Sequence, residues 1–162
     1  MNRNYPFIII TAFGIIASLI LVYMFVYQKA INTVRESALI EKAYPRIKPE
    51  EYINQLKMEA EKNNLKIIEI TKTEKTFIVQ LVNKKLLEKL ININPGASVL
   101  TIVNLSIYDL GDGTAVVGTN PYLWDIMMPS NYIDDLAEGY SKELSLILDD
   151  IFWQIKKKKE SL

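Results

Sequence analysis

The sequence predicts an α+β fold, a two-layer sandwich with helices on one face of a sheet, behind an N-terminal transmembrane helix. Three observations lead to this fold class. Residues 7–27 form an apolar run, residues 37–117 alternate short β-rich segments with helical patterns, and residues 133–155 repeat apolar side chains every three or four positions. After the first helix, the predicted order is strand, helix, two strands, helix, two strands and a final helix. One sheet covered on one face is the economical way to bury these elements.

The apolar run contains no charged residue, and only Thr11, Gly14 and Ser18 interrupt it. As a helix it covers about 31 Å, enough to cross a bilayer core of roughly 30 Å. A cleaved signal peptide would have a shorter apolar region followed by a small-x-small cleavage site, and neither is found here. The sequence therefore predicts a retained single-pass helix within residues 1–28, with the lipid bilayer as its partner.

Gly14 and Ser18 form a small-xxx-small pair, a spacing that lets two spanning helices approach closely. This pair is the predicted site of transmembrane packing. The orientation is open because basic residues lie on both sides of the run, with Arg3 before it and Lys29 and Arg35 after it. The short basic tail before a long apolar run is typical of a signal anchor, which slightly favours an extracytoplasmic domain.

Residues 29–36 are predicted to be a linker and residues 37–162 an α+β domain. The predicted strands cover residues 37–44, 65–70, 76–82, 99–108 and 114–117. The predicted helices cover residues 49–62, 84–91 and the C-terminal segment from residue 131. Local signals support these bounds: Pro49 suits a first helical turn, Asn83 suits an N-cap, and Leu110–Gly113 suits a hairpin turn. Asn131 and Asp134 suggest a capping box for the last helix.

Composition excludes several functional classes. The 162 residues include 19 Lys plus Arg and 19 Asp plus Glu, which argues against nucleic acid as a partner. No cysteine and no histidine occur, so thiolate nucleophiles, zinc fingers and histidine-based catalytic triads are excluded. No motif predicts a catalytic residue, a metal site or a cofactor. The sequence therefore favours a non-catalytic protein over an enzyme.

Residues 120–129 are unusually apolar for a loop. They contain two prolines among large side chains. Such a loop must be buried over the sheet, line a pocket, or meet lipid or a partner. The predicted partner or ligand contacts are Asn120, Pro121, Tyr122, Trp124, Met127 and Met128.

The acidic pairs are given ordinary roles. Asp109 and Asp112 flank the predicted turn and are interpreted as turn formers. Asp134-Asp135 and Asp149-Asp150 are interpreted as a solvated helix face. The four lysines at 156–159 are interpreted as a solvated tail that matches the helix dipole, with anionic headgroups as the alternative.

The ordered pattern from about residue 37 to residue 155 resembles the domain of unknown function 302 family. The resemblance rests on Val82-Asn83 before a Leu-rich helix, on the break at residues 94–96, and on the hairpin from Ile102 to Asn120-Pro121. The chain departs from the family where Cys-Asn-Pro is common, because Val82-Asn83-Lys84 stands there. It also has Ile102-Val103 where the family often has Pro-Cys. The resemblance implies an α+β fold and homodimerisation as an option, and it implies no reaction.

These observations lead to two functional hypotheses. The first is an accessory or structural subunit of a membrane protein assembly, with other membrane-protein subunits as its partners. In one version of this hypothesis the assembly is a respiratory complex. The alternative is a membrane-tethered protein that binds a small apolar ligand between the sheet and residues 121–129. A hydrolase ranks third, because no nucleophile motif occurs.

Overall fold

The computed structural model describes residues 5–124, 128 and 130–161. The chain forms two compact units, Met1–Glu36 and Ser37–Leu162. The first unit is built on helix α1 (Tyr5–Ala38). The predicted linker, residues 29–36, therefore continues the helix, because residues 28–38 contain neither proline nor glycine to end it.

The second unit is the predicted α+β domain, and its class is confirmed. Its elements are β1 (Leu39–Pro45), α2 (Pro49–Lys62), β2 (Leu65–Lys72), β3 (Thr76–Asn83), α3 (Lys84–Ile93), a 3-10 segment (Pro95–Thr101), β4 (Ile102–Asp109), β5 (Gly113–Thr119) and α4 (Asn131–Glu160). The five strands form one antiparallel sheet in the order β1-β5-β4-β3-β2.

One face of the sheet is covered and the other is open. In β3 and β4 the buried side chains alternate with half-buried or exposed ones, as expected for a strand with one face in the core. Val79, Leu105 and Val116 are fully buried on the covered face. The opposite face carries Ile78 at its centre, with 42 % of its surface exposed. A two-layer sandwich with helices on one side results.

Helices α2 and α4 provide the second layer. Tyr52 and Leu56 of α2 and Leu144, Leu148 and Ile151 of α4 are almost completely buried. Across the two helices, the Tyr52 hydroxyl donates a hydrogen bond to the Leu148 carbonyl at 2.9 Å. The apolar positions that predicted the final helix are those that it buries in the core.

The predicted strand from residue 99 to residue 108 begins three residues too early. Residues 99–101 belong to the 3-10 segment instead. The Asn94 side chain accepts a hydrogen bond from the Gly96 amide at 2.9 Å, and the Thr101 hydroxyl donates to the Ser98 carbonyl at 2.7 Å. These local side-chain bonds compete with strand pairing and hold the turn as far as Thr101.

The N-caps of α3 and α4 can be compared with the capping residues that the sequence predicted. Asn83 is the N-cap of α3, as predicted, and its side chain accepts from the Leu86 amide at 3.2 Å. The N-cap of α4 is Ser130 and not the predicted Asn131, and its hydroxyl accepts from the Ile133 amide at 3.2 Å. Serine and asparagine are about equally good caps, so neighbouring candidates cannot be ranked by residue type.

Candidate functional site

The predicted contact segment is partly built into the domain. Asn120 is half-buried, and its side-chain oxygen accepts hydrogen bonds from the Tyr122 amide at 3.1 Å and from the Ser141 hydroxyl at 2.6 Å. Pro121 is buried, whereas Tyr122 is exposed on the surface. The Ser141 contact ties the start of the segment to α4.

Trp124 is also buried, with only 4 % of its surface exposed. Its ring lies 5.7 Å from the ring of Tyr140 on α4. Met128 packs partly buried against the same core. Met127 lies outside the described residues. Trp124 and Met128 thus contribute to the core, and contact of this segment with a ligand or partner stays a prediction.

Helix α1 is the second predicted site. Within it, Phe7–Asn32 is long and apolar enough to cross a membrane, and its side chains are exposed. The Ser18 hydroxyl donates to the Gly14 carbonyl at 2.8 Å, and the Thr11 hydroxyl donates to the Phe7 carbonyl at 2.9 Å. Nothing lies within 4 Å of a Cβ built on Gly14. The pair therefore marks open space on the surface of the helix.

A polar cluster that the sequence interpretation missed joins β1 to α4. The Lys42 ammonium donates to Asp149 Oδ2 at 2.8 Å, and the Tyr44 hydroxyl donates to Asp149 Oδ1 at 2.9 Å. Asp149 keeps 38 % of its side-chain surface exposed, as expected for a solvated face, but both its carboxylate oxygens are also bonded to side chains 105 and 107 positions away. No local spacing signal links residues so distant in sequence.

Aromatic rings extend this cluster into the core. The ring of Tyr44 stacks between those of Tyr52 and Phe152, with both centroids 5.2 Å away. Burial, followed by the hydrogen bond to Asp149 and its negative charge, raises the pKa of the Tyr44 phenol well above its ordinary value of 10.0. Burial also raises the pKa of Tyr52. Both phenols therefore stay protonated at neutral pH and serve as donors, not as bases.

The phenol of Tyr140 is also buried, but within the described part of the chain it lacks a hydrogen bond like those of Tyr44 and Tyr52. The Tyr140 hydroxyl has no hydrogen-bond partner among the residues that the structure describes. Burial, with a smaller effect of the nearby Glu143 carboxylate, raises its pKa well above 10.0. An unpaired buried hydroxyl is an energetic cost that the surrounding core must offset.

The C-terminal lysines at 156–159 are exposed, as expected, and Lys159 makes specific contacts in addition. Lys159 Nζ donates to Glu51 Oε2 at 2.7 Å and to the Arg46 carbonyl at 3.2 Å. The hydrogen bond from Lys159 holds the pKa of the exposed Glu51 carboxyl below its usual value. This contact joins the end of α4 to the start of α2.

The remaining acidic residues form no site that the described ranges show. Asp109 lies in the hairpin turn as expected, where its carboxylate accepts from the Gly111 amide at 2.7 Å. Across residues 5–124, 128 and 130–161, no three carboxylates converge as metal ligands would. The described polar groups are arranged to hold elements together, and this arrangement can bind and position but offers no activated nucleophile.

The open face of the sheet is a surface of the domain that the described helices leave uncovered. In one row across it, Val117, Ser106 and Ile78 are paired neighbours on β5, β4 and β3. Val117 and Ser106 are half-buried and Ile78 is exposed. The centre of this face is therefore apolar or neutral, which is typical of the core of a protein interface.

Comparison with known proteins supports the fold. Neither a family model nor a curated protein matches the sequence. The crystal structure of an uncharacterized conserved DUF302 protein from Bacillus stearothermophilus is similar, with a TM-score of 0.60 and 14 % sequence identity, over 69 % of this chain and 96 % of that one. The resemblance noted in the sequence is thus confirmed at the level of the fold.

Proposed function

We propose that the protein is a single-pass membrane protein whose non-catalytic α+β domain serves as an accessory subunit of a membrane protein assembly. The observation that carries this proposal is the exposed apolar surface of Phe7–Asn32. Exposed apolar side chains over this length are costly in water and favourable in lipid. The hydroxyls of Thr11 and Ser18 support it, because both are bonded within the helix, as a lipid environment requires.

The domain supplies the contacts in this proposal. Its open sheet face has an apolar or neutral centre around Ile78, and the partner is a second membrane-protein subunit that covers this face. The apolar segment at residues 120–128 is the alternative contact, and close packing at Gly14 and Ser18 would add to either one.

Anchoring is tested first, by alkaline carbonate extraction of native membranes and the intact mass of the extracted chain. A retained helix leaves the full-length chain in the membrane pellet. A shorter chain in the supernatant would identify residues 1–28 as a cleaved signal peptide and would contradict the proposal.

Association is tested by mild-detergent extraction of the tagged chain, followed by mass spectrometry. We expect stoichiometric membrane-protein partners, which are lost in Ile78→Lys. The matched control is Leu146→Lys, which changes an equally apolar and more exposed residue of α4 and should keep the partners. Recovery of the chain alone, or of a homodimer only, would contradict the accessory-subunit role. The partners themselves would show whether the assembly is respiratory.

A further inference from the structure

A cavity of about 400 Å³ lies where the end of β1 meets the last turns of α4. Its apolar wall is formed by Pro45, Ile47 and Phe152. This volume lies in the range of small-molecule sites, which combine apolar walls with a few polar groups. The cavity is far from the segment that the sequence singled out, and it is independent of the proposed subunit role.

The rim of this cavity is cationic. Arg46, Lys156 and Lys159 line it together with one carboxylate, Glu160. Lys159 is already bound to Glu51, and Lys156 is only 3.9 Å from Glu160 in an exposed pair. Arg46 makes no ion pair with any described residue, so its guanidinium is the group that an anionic ligand would meet first.

The backbone at Arg46 adds an independent observation. Arg46 has a φ of 62°, in the left-handed region that side chains other than glycine and asparagine rarely adopt. Among the residues that the structure describes, the other such position outside glycine is Asn64, with a φ of 57°, where the residue type suits the conformation. Strained backbone positions of this kind cluster at ligand-binding sites, and this one borders the cavity.

The apolar wall is held in place before any ligand binds. Phe152 stacks on Tyr44, and Tyr44 is fixed from its other side by Tyr52 and through its hydroxyl by Asp149. Lys159 fixes the Arg46 backbone through its carbonyl. Such preorganisation reduces the entropy lost on binding.

The volume of the cavity indicates the kind of ligand. About 400 Å³ lies in the range of sites that enclose most of the surface of a small molecule. We therefore commit to a small soluble ligand and not to a lipid headgroup.

We propose that this cavity binds a small amphipathic anion, a carboxylate or phosphate monoester with an aromatic or short aliphatic body. The planar Arg46 guanidinium would donate two parallel hydrogen bonds to the anionic oxygens, and the Lys156 ammonium would add a positive charge. The apolar body would lie against Phe152 and Ile47.

The test uses the full chain in phosphatidylcholine nanodiscs, titrated calorimetrically with 2-naphthoate and with 1-naphthyl phosphate against empty nanodiscs. We expect at least one of these probes to bind, and 2-naphthol and inorganic phosphate to bind at least about tenfold more weakly. Equal binding of the neutral alcohol, or of bare phosphate, would overturn the proposal, as would no binding of either probe. Loss of binding when phosphatidylglycerol is added to the nanodiscs would identify a lipid headgroup as the occupant and would equally overturn it.

Variants locate the site. Arg46→Gln should weaken binding about tenfold, whereas Lys157→Gln, on the same helix end but not lining the cavity, should leave it unchanged. Arg46→Gly should abolish binding and yet raise the melting temperature by about 3 °C, because glycine relieves the backbone strain. Unchanged affinity in Arg46→Gln, measured on protein with normal melting, would place the anion elsewhere. A fall in melting temperature for Arg46→Gly would contradict the strain argument for this site.

Discussion

At the scale of single residues, two buried tyrosine hydroxyls of the same helical layer differ in their environment. Tyr52 donates to the Leu148 carbonyl, whereas Tyr140 has no described partner. A satisfied buried hydroxyl stabilises the fold modestly, and an orphaned one costs the free energy of its lost hydration. The same substitution should therefore change stability in opposite directions at these two positions.

Tyr140→Phe is expected to raise the free energy of unfolding by about 1 kcal/mol, because it removes an unsatisfied hydroxyl and keeps the ring against Trp124. Tyr52→Phe is expected to lower it by about 1 kcal/mol, because a hydrogen bond is lost. Thermal melting followed by circular dichroism in detergent measures both. A loss of stability in Tyr140→Phe equal to that in Tyr52→Phe would indicate that the Tyr140 hydroxyl is satisfied.

Residues also show where sequence reasoning succeeds. Asn83 was predicted as a cap because a single good candidate precedes the Leu-rich helix, and the structure confirms it. The contacts of Asp149 with Lys42 and Tyr44 could not be predicted, because they depend on how β1 lies against α4. The strained backbone of Arg46 had no sequence signal either, since nothing in the local residue types requires a left-handed conformation there.

At the scale of elements, the pairing of β1 with β5 depends on one close approach. A Cβ built on Gly113 lies 2.5 Å from the Tyr44 carbonyl oxygen and 2.9 Å from Pro45 Cα. Both obstacles are backbone atoms, so no side-chain rotation can relieve the clash. Glycine at this position lets the edge strand reach its partner.

Gly113→Ala is expected to lower the free energy of unfolding by about 2 kcal/mol, because β1 must shift away from β5. The matched control is Gly139→Ala in α4, where a Cβ meets nothing within 4 Å. There alanine should stabilise the helix by about 0.5–1 kcal/mol. Melting temperatures compare the two, and similar effects of the same sign would contradict the close approach of β1.

The bounds of an element could be predicted where the residues at its two ends favour a start and a stop. The helix predicted over residues 49–62 is observed as Pro49–Lys62, because Pro49 suits its first turn and Asn63-Asn64 follow its end. The predicted start of β4, at Val99, was wrong. Val99 and Leu100 have strand propensity, but they lie in a turn that the side chains of Asn94 and Thr101 stabilise. Propensity is overridden where polar side chains bond locally to the backbone.

At the scale of the whole molecule, three buried phenols make stability sensitive to alkali. The pKa values of Tyr44, Tyr52 and Tyr140 are all raised above 10.0 by burial. Above pH 10 the unfolded chain releases these protons and the folded chain keeps them, so the unfolded state gains stability. The contribution of these groups is fully present below pH 10 and is lost as pH rises from there.

The expected result is a melting temperature that falls steeply above pH 10, with each buried phenol contributing about 1.4 kcal/mol per pH unit. Tyr140→Phe should make this fall shallower, because the unfolding of the variant releases one proton fewer above pH 10. Tyr132→Phe, on the exposed surface of α4, is the control and should leave the slope unchanged. Identical slopes in all three proteins would mean that Tyr140 ionises freely in the folded state.

The two compact units lead to a further prediction. A chain starting at Ser37 should remain soluble without detergent and melt cooperatively within a few degrees of the full-length protein, because its core is formed within residues 37–162. The full chain should require detergent. Insolubility of the shortened chain below its melting temperature, or loss of cooperative melting, would contradict this prediction.

The pairing of the sheet has a consequence for biosynthesis. Strands β2, β3 and β4 each pair with the next strand made, whereas Leu39 of β1 pairs with Thr119, eighty positions later. At about 5–20 residues per second, the ribosome needs about 4–16 s to produce that partner. The first strand to emerge is thus the last to be bonded, and throughout this interval its backbone donors and acceptors are open to other nascent chains. The timing of synthesis, and whatever shields β1 during it, therefore becomes part of how this protein reaches its folded state.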